Sequence, residues 1–375
     1  MGASAVIAGK HFERVRQRLL CQLEASSQHG LALALAAARP AADACWRADV
    51  GIAATACASG SATLAALQLI LMARPQTLEL SVALEAPGRL FLDGCVLPVQ
   101  DEVVVCADAD GLHLPRGGGS ACVDAATGRW NITAVPDDEA GRVHTLHSAP
   151  ARYLIESGRA GSSSIFPNPM DTRSGHGRMP ETAASIRAID LAFATLTANS
   201  AARQAWFASA IDGVILTHGE AEVGISSPDF PGLIALNTGR NLLDYAETII
   251  AGTCHQKLFQ LALVFALTQP GVEEVHYVPS RRSYTTTRRA LAAAHEHVNV
   301  IAALRDMATA PEAPSGIRGH IERRMLMLET DCVPALDTSA VLTDAGACLW
   351  RRLRELAATD AAPVAAMAAT ECNAF

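Results

Sequence analysis

The apolar pattern of this chain changes period twice, and the two changes limit the folds open to it. A charged amphipathic helix is expected around His11 to Glu24, and the Ala/Leu-rich segments 31–38 and 61–73 read as packed helices, the second stopped by Arg74-Pro75. From Leu78 the runs become short and β-branched. "LELSVAL", "RLFLDGCVLPV" and "EVVVCAD" are broken by Gly, Pro and Asp, as strands joined by turns are. Hairpin-like turns continue through 115–150, and the Gly-, Ser- and Pro-rich stretch 156–180 reads as an exposed loop or linker.

Beyond Pro180 helical spacing returns. A long helix is expected over 181–211, then the short strands "DGVILTHGE" and "GLIALNT". Asn241 caps a helix that runs to about Leu267, where Thr268-Gln269-Pro270-Gly271 stops it. "VEEVHYVP" is a strand, Thr285 or Thr286 caps the next helix, and 316–358 holds two or three more. The fold class is therefore α+β: a small N-terminal helical and β domain over 1–157, a linker or exposed loop over 158–180, and a mainly helical domain with a few short strands over 181–375. No internal repeat appears.

Composition narrows the function. A chain of 375 residues, half of them apolar, can bury a large core. Its net charge of -8, with no basic stripe, removes the counterion-release term on which non-specific nucleic-acid binding depends. No apolar run reaches membrane-spanning length, so no membrane or nucleic-acid partner is expected. The weak apolar start is followed at once by Lys10, Glu13 and Arg14, and lacks the Ser or Thr that myristoylation needs at the sixth position, which points to a cytoplasmic protein. Ten cysteines stand singly with no C-x-x-C pair, as buried small hydrophobes rather than a disulfide framework. "PRGGGS" lacks the Lys of a phosphate loop, "NIT" at Asn131 is a sequon only in a secreted protein, and no G-x-S-x-G elbow is present.

Chemistry concentrates in the last half, in four ordered motifs: "SSPDFPGLIAL", "ETIIAGTCHQKL", "YVPSRRSYTTTRR" and "ALAAAHEHVNVIAAL". Taken singly, each has a plain reading. His255 stands on an apolar helix, where a histidine is commonly a core residue satisfied by a neighbouring carbonyl. Arg281, Arg282, Arg288 and Arg289 form a basic turn, or a guanidinium clamp for a carboxylate. His218, Glu220 and Glu222 alternate after a strand and so share one side of an extended segment, as ligands or as a solvated turn.

The order and spacing of the four motifs resemble the HExxH-motif family of 2-oxoglutarate-dependent peptide β-hydroxylases of natural-product pathways, over roughly residues 180–360. In that family "LVHExxHxKL" stands where this chain has "IIAGTCHQKL", Pro-Trp-Arg where it has "VPSR", and a further His where it has "HEHVNV". The resemblance implies an oxygenase-like tailoring enzyme acting on a peptide or amino-acid-derived intermediate, free or carrier-bound, with Fe(II) and 2-oxoglutarate as cofactors. It places His255 and His297 on the metal and Arg281 with Arg288, or its neighbour Arg289, on the co-substrate.

The motif is degenerate, because Ala251 and Gly252 replace the first His and the Glu, and neither can coordinate a metal or act as a base. His218, Glu220, His295 and Glu296 are the candidates to complete the ligand set, although residues one and two apart on a helix diverge by about 100° and 200°, so only one of His295, Glu296 and His297 is expected to meet His255. By analogy with oxygenases of other folds, the small Gly252 would leave room for chloride on the iron. Two further readings stay open: a metal-free protein that binds a peptide or catalyses a non-oxidative reaction, and a site rebuilt around haem or another metal with His255 or His297 as axial ligand.

Overall fold

The computed structural model describes residues 3–358 except 27, 40–46, 59, 74–77, 85–87, 93–94, 100–101, 109–110, 117–118, 125–128, 134–142, 145, 147–152, 157–178, 199, 218–225 and 311–312. The protein is α+β and mainly helical, with its strands in small sheets. Among the described residues four helices come first: α1 (Ala3–Ala25), α2 (His29–Ala37), α3 (Ala48–Ala58) and α4 (Ala62–Ala73). Helix α1 begins earlier than the charged stretch suggested, and α3 was not legible from the sequence. Phe12, Leu19, Leu23, Leu35, Val50 and Ile70 form their shared core.

Strands β1 (Leu78–Ala83), β4 (Glu102–Asp108), β5 (Gly111–Arg116), β6 (Gly119–Asp124) and β7 (Arg129–Thr133) follow as an antiparallel sheet in the order β1-β4-β5-β6-β7, with β2 (Gly88–Leu92) and β3 (Cys95–Val99) as a separate hairpin. The buried Gln68 ties α4 to this hairpin, accepting from the Phe91 N–H at 2.8 Å and donating to the Phe91 carbonyl at 2.5 Å, so that neither buried amide group is left without a partner.

A second sheet joins the two halves of the chain. Its order is β11-β10-β9-β8, formed by β8 (Val143–His144), β9 (Tyr153–Glu156), β10 (Gly213–Thr217) and β11 (Leu233–Asn237). The inner pairs β9/β10 and β10/β11 are parallel. Every residue of β10 and β11 is buried, which is why both read as continuous apolar runs rather than alternating ones. Residues 153–156 thus pair with a strand that lies beyond the Gly/Ser/Pro-rich stretch.

The remaining elements are helices around one core: α5 (Met179–Thr197), α6 (Ala201–Ala208), α7 (Leu242–Ala262), α8 (Thr287–Ala308), α9 (Ile317–Met327), a π-helical turn (Leu328–Cys332), α10 (Val333–Asp337) and α11 (Asp344–Ala358). The hairpin β12 (Val275–Val278) and β13 (Ser283–Thr286) precedes α8. The single helix expected over 181–211 is two, because the Ser200 hydroxyl accepts from the Arg203 N–H at 3.0 Å and starts α6. Asn241 caps α7 as expected, accepting from the Asp244 N–H at 3.0 Å, but the helix ends at Ala262, five residues short of Leu267. Thr286 caps α8 through the Arg289 N–H at 3.4 Å. Among the described residues no helix is long and apolar enough to cross a membrane.

Helix α7 is the centre of the molecule, with buried residues on every side, as a helix enclosed by other elements must have. Its far end carries Phe259 and Leu263 against the N-terminal helices. Its middle packs on β11 at Gly252, where an added Cβ would lie 2.7 Å from Ile234 Cγ2 and 3.1 Å from Ile234 Cβ. Those atoms sit at the branch of a buried Ile and cannot swing away. Gly252 is therefore a packing residue facing a strand, and its missing side chain opens no space in the cavity described below. The chloride reading of Gly252 falls with it. Gly252→Ala should lower stability by about 1–3 kcal/mol through overpacking, although alanine is the better helix former. Denaturant unfolding checks this, and Gly252→Ala combined with Ile234→Ala should cost less than the sum of the single changes.

Candidate functional site: a cavity between three helices

Helix α7 is amphipathic in chemistry rather than in polarity. Residues 248, 251 and 255 recur at three- and four-residue spacing, and Thr248, Ala251 and His255 line one cavity of about 980 Å³. Helix α8 contributes Arg289, Ala290, Ala293, Glu296 and His297. The β12–β13 hairpin adds Arg281 and Tyr284, α9 adds Arg324, and the π-helical turn adds Asp331 and Cys332. His255 and His297, forty-two positions apart, thus reach a common space.

The buried neighbours in the two motif helices have structural work instead. Gln256 accepts from the Gly232 N–H at 2.9 Å and donates to Ser226 Oγ, Phe230 O and Leu233 O at 2.8, 3.3 and 3.0 Å. It pins the "SSPDFPGLIAL" segment to α7. Lys257 donates to Ser209 Oγ at 2.7 Å. His295 is 2 % exposed and does not line the cavity, and its carbonyl accepts from Asn299 Nδ2 at 2.7 Å and Cys254 Sγ at 3.8 Å. Of "HQKL" His255 alone lines this space, but of "HEH" both Glu296 and His297 do, so the expectation that one residue of that triplet would meet His255 is corrected: a wide cavity admits two adjacent side chains despite their 100° divergence.

At the base of the cavity the Arg324 guanidinium bridges α7 and α8. Its Nη2 and Nε donate to Glu247 Oε2 at 2.6 and 2.9 Å, and its Nη1 donates to Glu296 Oε1 at 2.6 Å. The same Nη1 lies 3.1 Å from His297 Nδ1. Glu247 also takes His320 Nδ1 at 2.6 Å and Arg323 Nη2 at 3.1 Å. Glu296 presents its other oxygen, Oε2, to His255 Nε2 at 3.4 Å. His320, Arg323 and Arg324 stand on one face of α9 because they are three and four residues apart.

Charge follows from these contacts. Burial alone would raise the Glu296 carboxyl, but the bond from His255 and the charge of Arg324 outweigh it and bring it down to about 2. Glu247 is lowered in the same way, with Arg324 overcoming the cost of burial. Burial brings His297 down to about 4, with Arg324 and Arg281 adding to the effect against the opposing charge of Glu296. His297 is therefore neutral near pH 7. Since a guanidinium can only donate, Nδ1 is the accepting nitrogen and the ring proton sits on Nε2. Burial, with the charges of Asp331 and Glu296, pushes the Cys332 thiol up to about 12, so it is no nucleophile.

Asp331, a buried residue of the π-helical turn, also lines the cavity. It accepts from the Ser280 N–H at 3.2 Å and from the Ser280 hydroxyl, tying the Pro279–Arg282 turn to the π-helical turn. Arg282 in that turn has φ 49°, a left-handed conformation that a non-glycine residue adopts only when its surroundings hold it there. Arg281 and Arg289 are exposed at the mouth. Arg288 is directed elsewhere, to a separate cavity of about 640 Å³ beside Glu273 and Glu274, so the second guanidinium near His255 is Arg289.

Do these residues fit an iron site? Glu296 is committed to Arg324, and His297 presents a protonated Nε2 with its lone pair already accepting from Arg324. Ala251 lines the cavity and offers no donor. Among the described residues no three His, Cys, Asp or Glu side chains gather as a metal-holding group. His218, Glu220 and Glu222 lie outside the described residues. The described donor set does not fit Fe(II), nor does His297 fit as an axial haem ligand.

Sequence reasoning missed Glu247, His320, Arg324 and Asp331. Glu247 and the H-x-x-R-R of α9 did carry a signal, since an acid eight residues before His255 on an apolar helix requires a buried cation.

The His297 shift fixes a pH dependence. Below its ordinary value of 6.5 the unfolded chain takes up a proton that the folded chain refuses down to about 4, so stability falls through that window. The full effect is on the order of 3 kcal/mol at 1.36 kcal/mol per unit. Below it, Glu296 adds a loss from about 4.5 toward 2. Denaturant unfolding between pH 7.5 and 4.5 should show the slope, and His297→Gln should flatten it; an unchanged slope would contradict the neutral His297. Compared with known families and curated proteins, the chain matches no family model and no curated protein.

Proposed function

We propose that this protein binds a carboxylate-bearing peptide or amino-acid-derived intermediate in the cavity between α7 and α8, and that His255 exchanges a proton with it without a metal. The observation that carries this reading is the convergence of His255, Glu296, Arg281 and Arg289 on one space of about 980 Å³. Three guanidiniums against two carboxylates leave the lining net positive. Arg281 and Arg289 at the mouth suit a planar anion, because the guanidinium fork matches a carboxylate in two parallel bonds.

Deeper in, the Glu296 carboxylate beside His255 Nε2 favours the tautomer with its proton on that nitrogen, leaving Nδ1 with the lone pair that takes a proton. A carboxylate that orients an imidazole in this way also stabilises the imidazolium formed by the transfer. Arg324 holds Glu296 from behind, so the pair has little freedom to turn.

The oxygenase reading remains the runner-up, favoured by the position of His255 and His297 on the shared cavity that the family resemblance implies. Calorimetric titration separates the two. With 2-oxoglutarate and with alanyl-alanine as probes, in the presence of EDTA, at least one should bind saturably. Arg281→Ala and Arg289→Ala should each weaken that binding about tenfold, or about 1.4 kcal/mol. Absence of binding to both probes, or binding that requires Fe(II), would count against the proposal. Stoichiometric iron in the purified protein with 2-oxoglutarate-dependent succinate release would establish the oxygenase instead, and a strong visible absorption band would point to haem.

A further inference from the structure

Both imidazoles of the cavity are tethered by one nitrogen to a single ion pair. Glu296 presents Oε2 to His255 Nε2 at 3.4 Å and takes Arg324 Nη1 on Oε1 at 2.6 Å, and the same Nη1 lies 3.1 Å from His297 Nδ1. One nitrogen remains on each ring, His255 Nδ1 and His297 Nε2, and their states are opposite. His255 carries its proton toward Glu296, so its Nδ1 holds a lone pair. His297 faces a group that can only donate, so its Nε2 carries the proton.

His297 is 3 % exposed, yet no group among the described residues accepts that Nε2 proton. A buried N–H without an acceptor bears its desolvation cost uncompensated. The nitrogen is not sealed by the packing, and the ring lines the cavity, so the acceptor comes from what the cavity holds. Water serves until a ligand displaces it, and a ligand with no acceptor at that point loses the bond. Burial keeps the ring neutral near pH 7, and a neutral imidazole N–H polarises a carbonyl oxygen and stabilises negative charge that develops on it.

We infer that His297 Nε2–H donates to a carbonyl oxygen of the substrate, and that the proton His255 takes is one on the carbon beside that carbonyl. The inference rests on the carboxylate-binding reading of the cavity and narrows its substrate to a carboxylate that also carries a carbonyl with a neighbouring C–H bond. In the step, that C–H bond breaks as His255 Nδ1 gains the proton. Its electron pair forms a carbon–carbon double bond while the carbonyl π pair moves onto oxygen, where His297 Nε2–H meets it. Glu296 faces the imidazolium formed at His255. Return of the proton to carbon restores the carbonyl, and no oxidant is consumed.

The test uses 2-oxoglutarate and alanyl-alanine, each ¹³C-labelled at the keto or peptide carbonyl, with the full-length protein and EDTA in D₂O. With a probe that binds, wild type should exchange deuterium into the carbon beside the labelled carbonyl, and His255→Ala should abolish the exchange. His297→Phe should slow it about 100-fold while weakening binding less than tenfold, because the charge on oxygen develops only in the transition state. The carbonyl stretch of the bound probe should lie higher in His297→Phe than in wild type, and His297→Gln, which keeps an N–H, should recover part of the rate. In wild type carrying ¹⁵N-histidine, the His297 Nε2 resonance should shift on saturation, a readout that needs no variant to fold. The inference is overturned, with the carboxylate reading intact, if a probe binds in an Arg281-dependent way but exchanges no deuterium, or leaves the His297 Nε2 resonance unmoved. It is equally overturned if His297→Phe matches wild type in exchange rate and carbonyl stretch. If neither probe binds, both fall together.

Discussion

The interaction on which this site depends is a buried guanidinium held between two carboxylates. Arg324 sets the spacing of α7, α8 and α9 because Glu247 comes from the first, Glu296 from the second and the arginine from the third. Such networks add little net stability compared with apolar side chains, because desolvation offsets much of the attraction. Their effect lies in what happens when one member is removed. With Arg324 gone, Glu247 would keep His320 and Arg323 and Glu296 would keep only His255, so the charge that ties the two carboxylates to each other would be lost and any arrangement of the three helices that separates the arginine from them is disfavoured.

That constraint explains how the rest of the cavity is organised. Glu296 is fixed on one oxygen by Arg324 and offers the other to His255. His297 is fixed in one tautomer by the same guanidinium. On the outer side, Asp331 in the π-helical turn holds Ser280, and through it the turn that carries Arg281. A π-helical turn interrupts the regular helical register where α9 gives way to α10, and such turns recur at functional sites. The cavity lining therefore combines exposed cations at Arg281 and Arg289, an imidazole paired with a carboxylate at His255 and Glu296, and the largely buried Arg324 that ties Glu296 to Glu247.

The pair Ala251-Gly252 gains a physical account from this arrangement. Ala251 and Gly252 do not share a role. Ala251 lines the cavity, whereas Gly252 is pressed against Ile234 of β11, where no larger residue fits without displacing the strand. Gln256 and Lys257, equally prominent in the sequence, are consumed by hydrogen bonds to the 226–233 segment and to the end of α6. The ordered motifs are thus joined through their buried residues as much as through the cavity.

Period and punctuation in the sequence determined a good deal: the α+β class, the strands between 78 and 133, and the caps at Asn241 and Thr286. These are local properties, set by helical and strand spacing and by which side chains satisfy a free N–H. The pairing of β9 with β10 across residues 157–178 was not local, nor was the choice of Arg289 over Arg288 for the cavity. The partner of Glu247 was equally hidden, since Arg324 lies seventy-seven residues away. Only the packing of three helices decides which charge a buried carboxylate meets, because the energy depends on distance and burial that spacing along the chain does not contain.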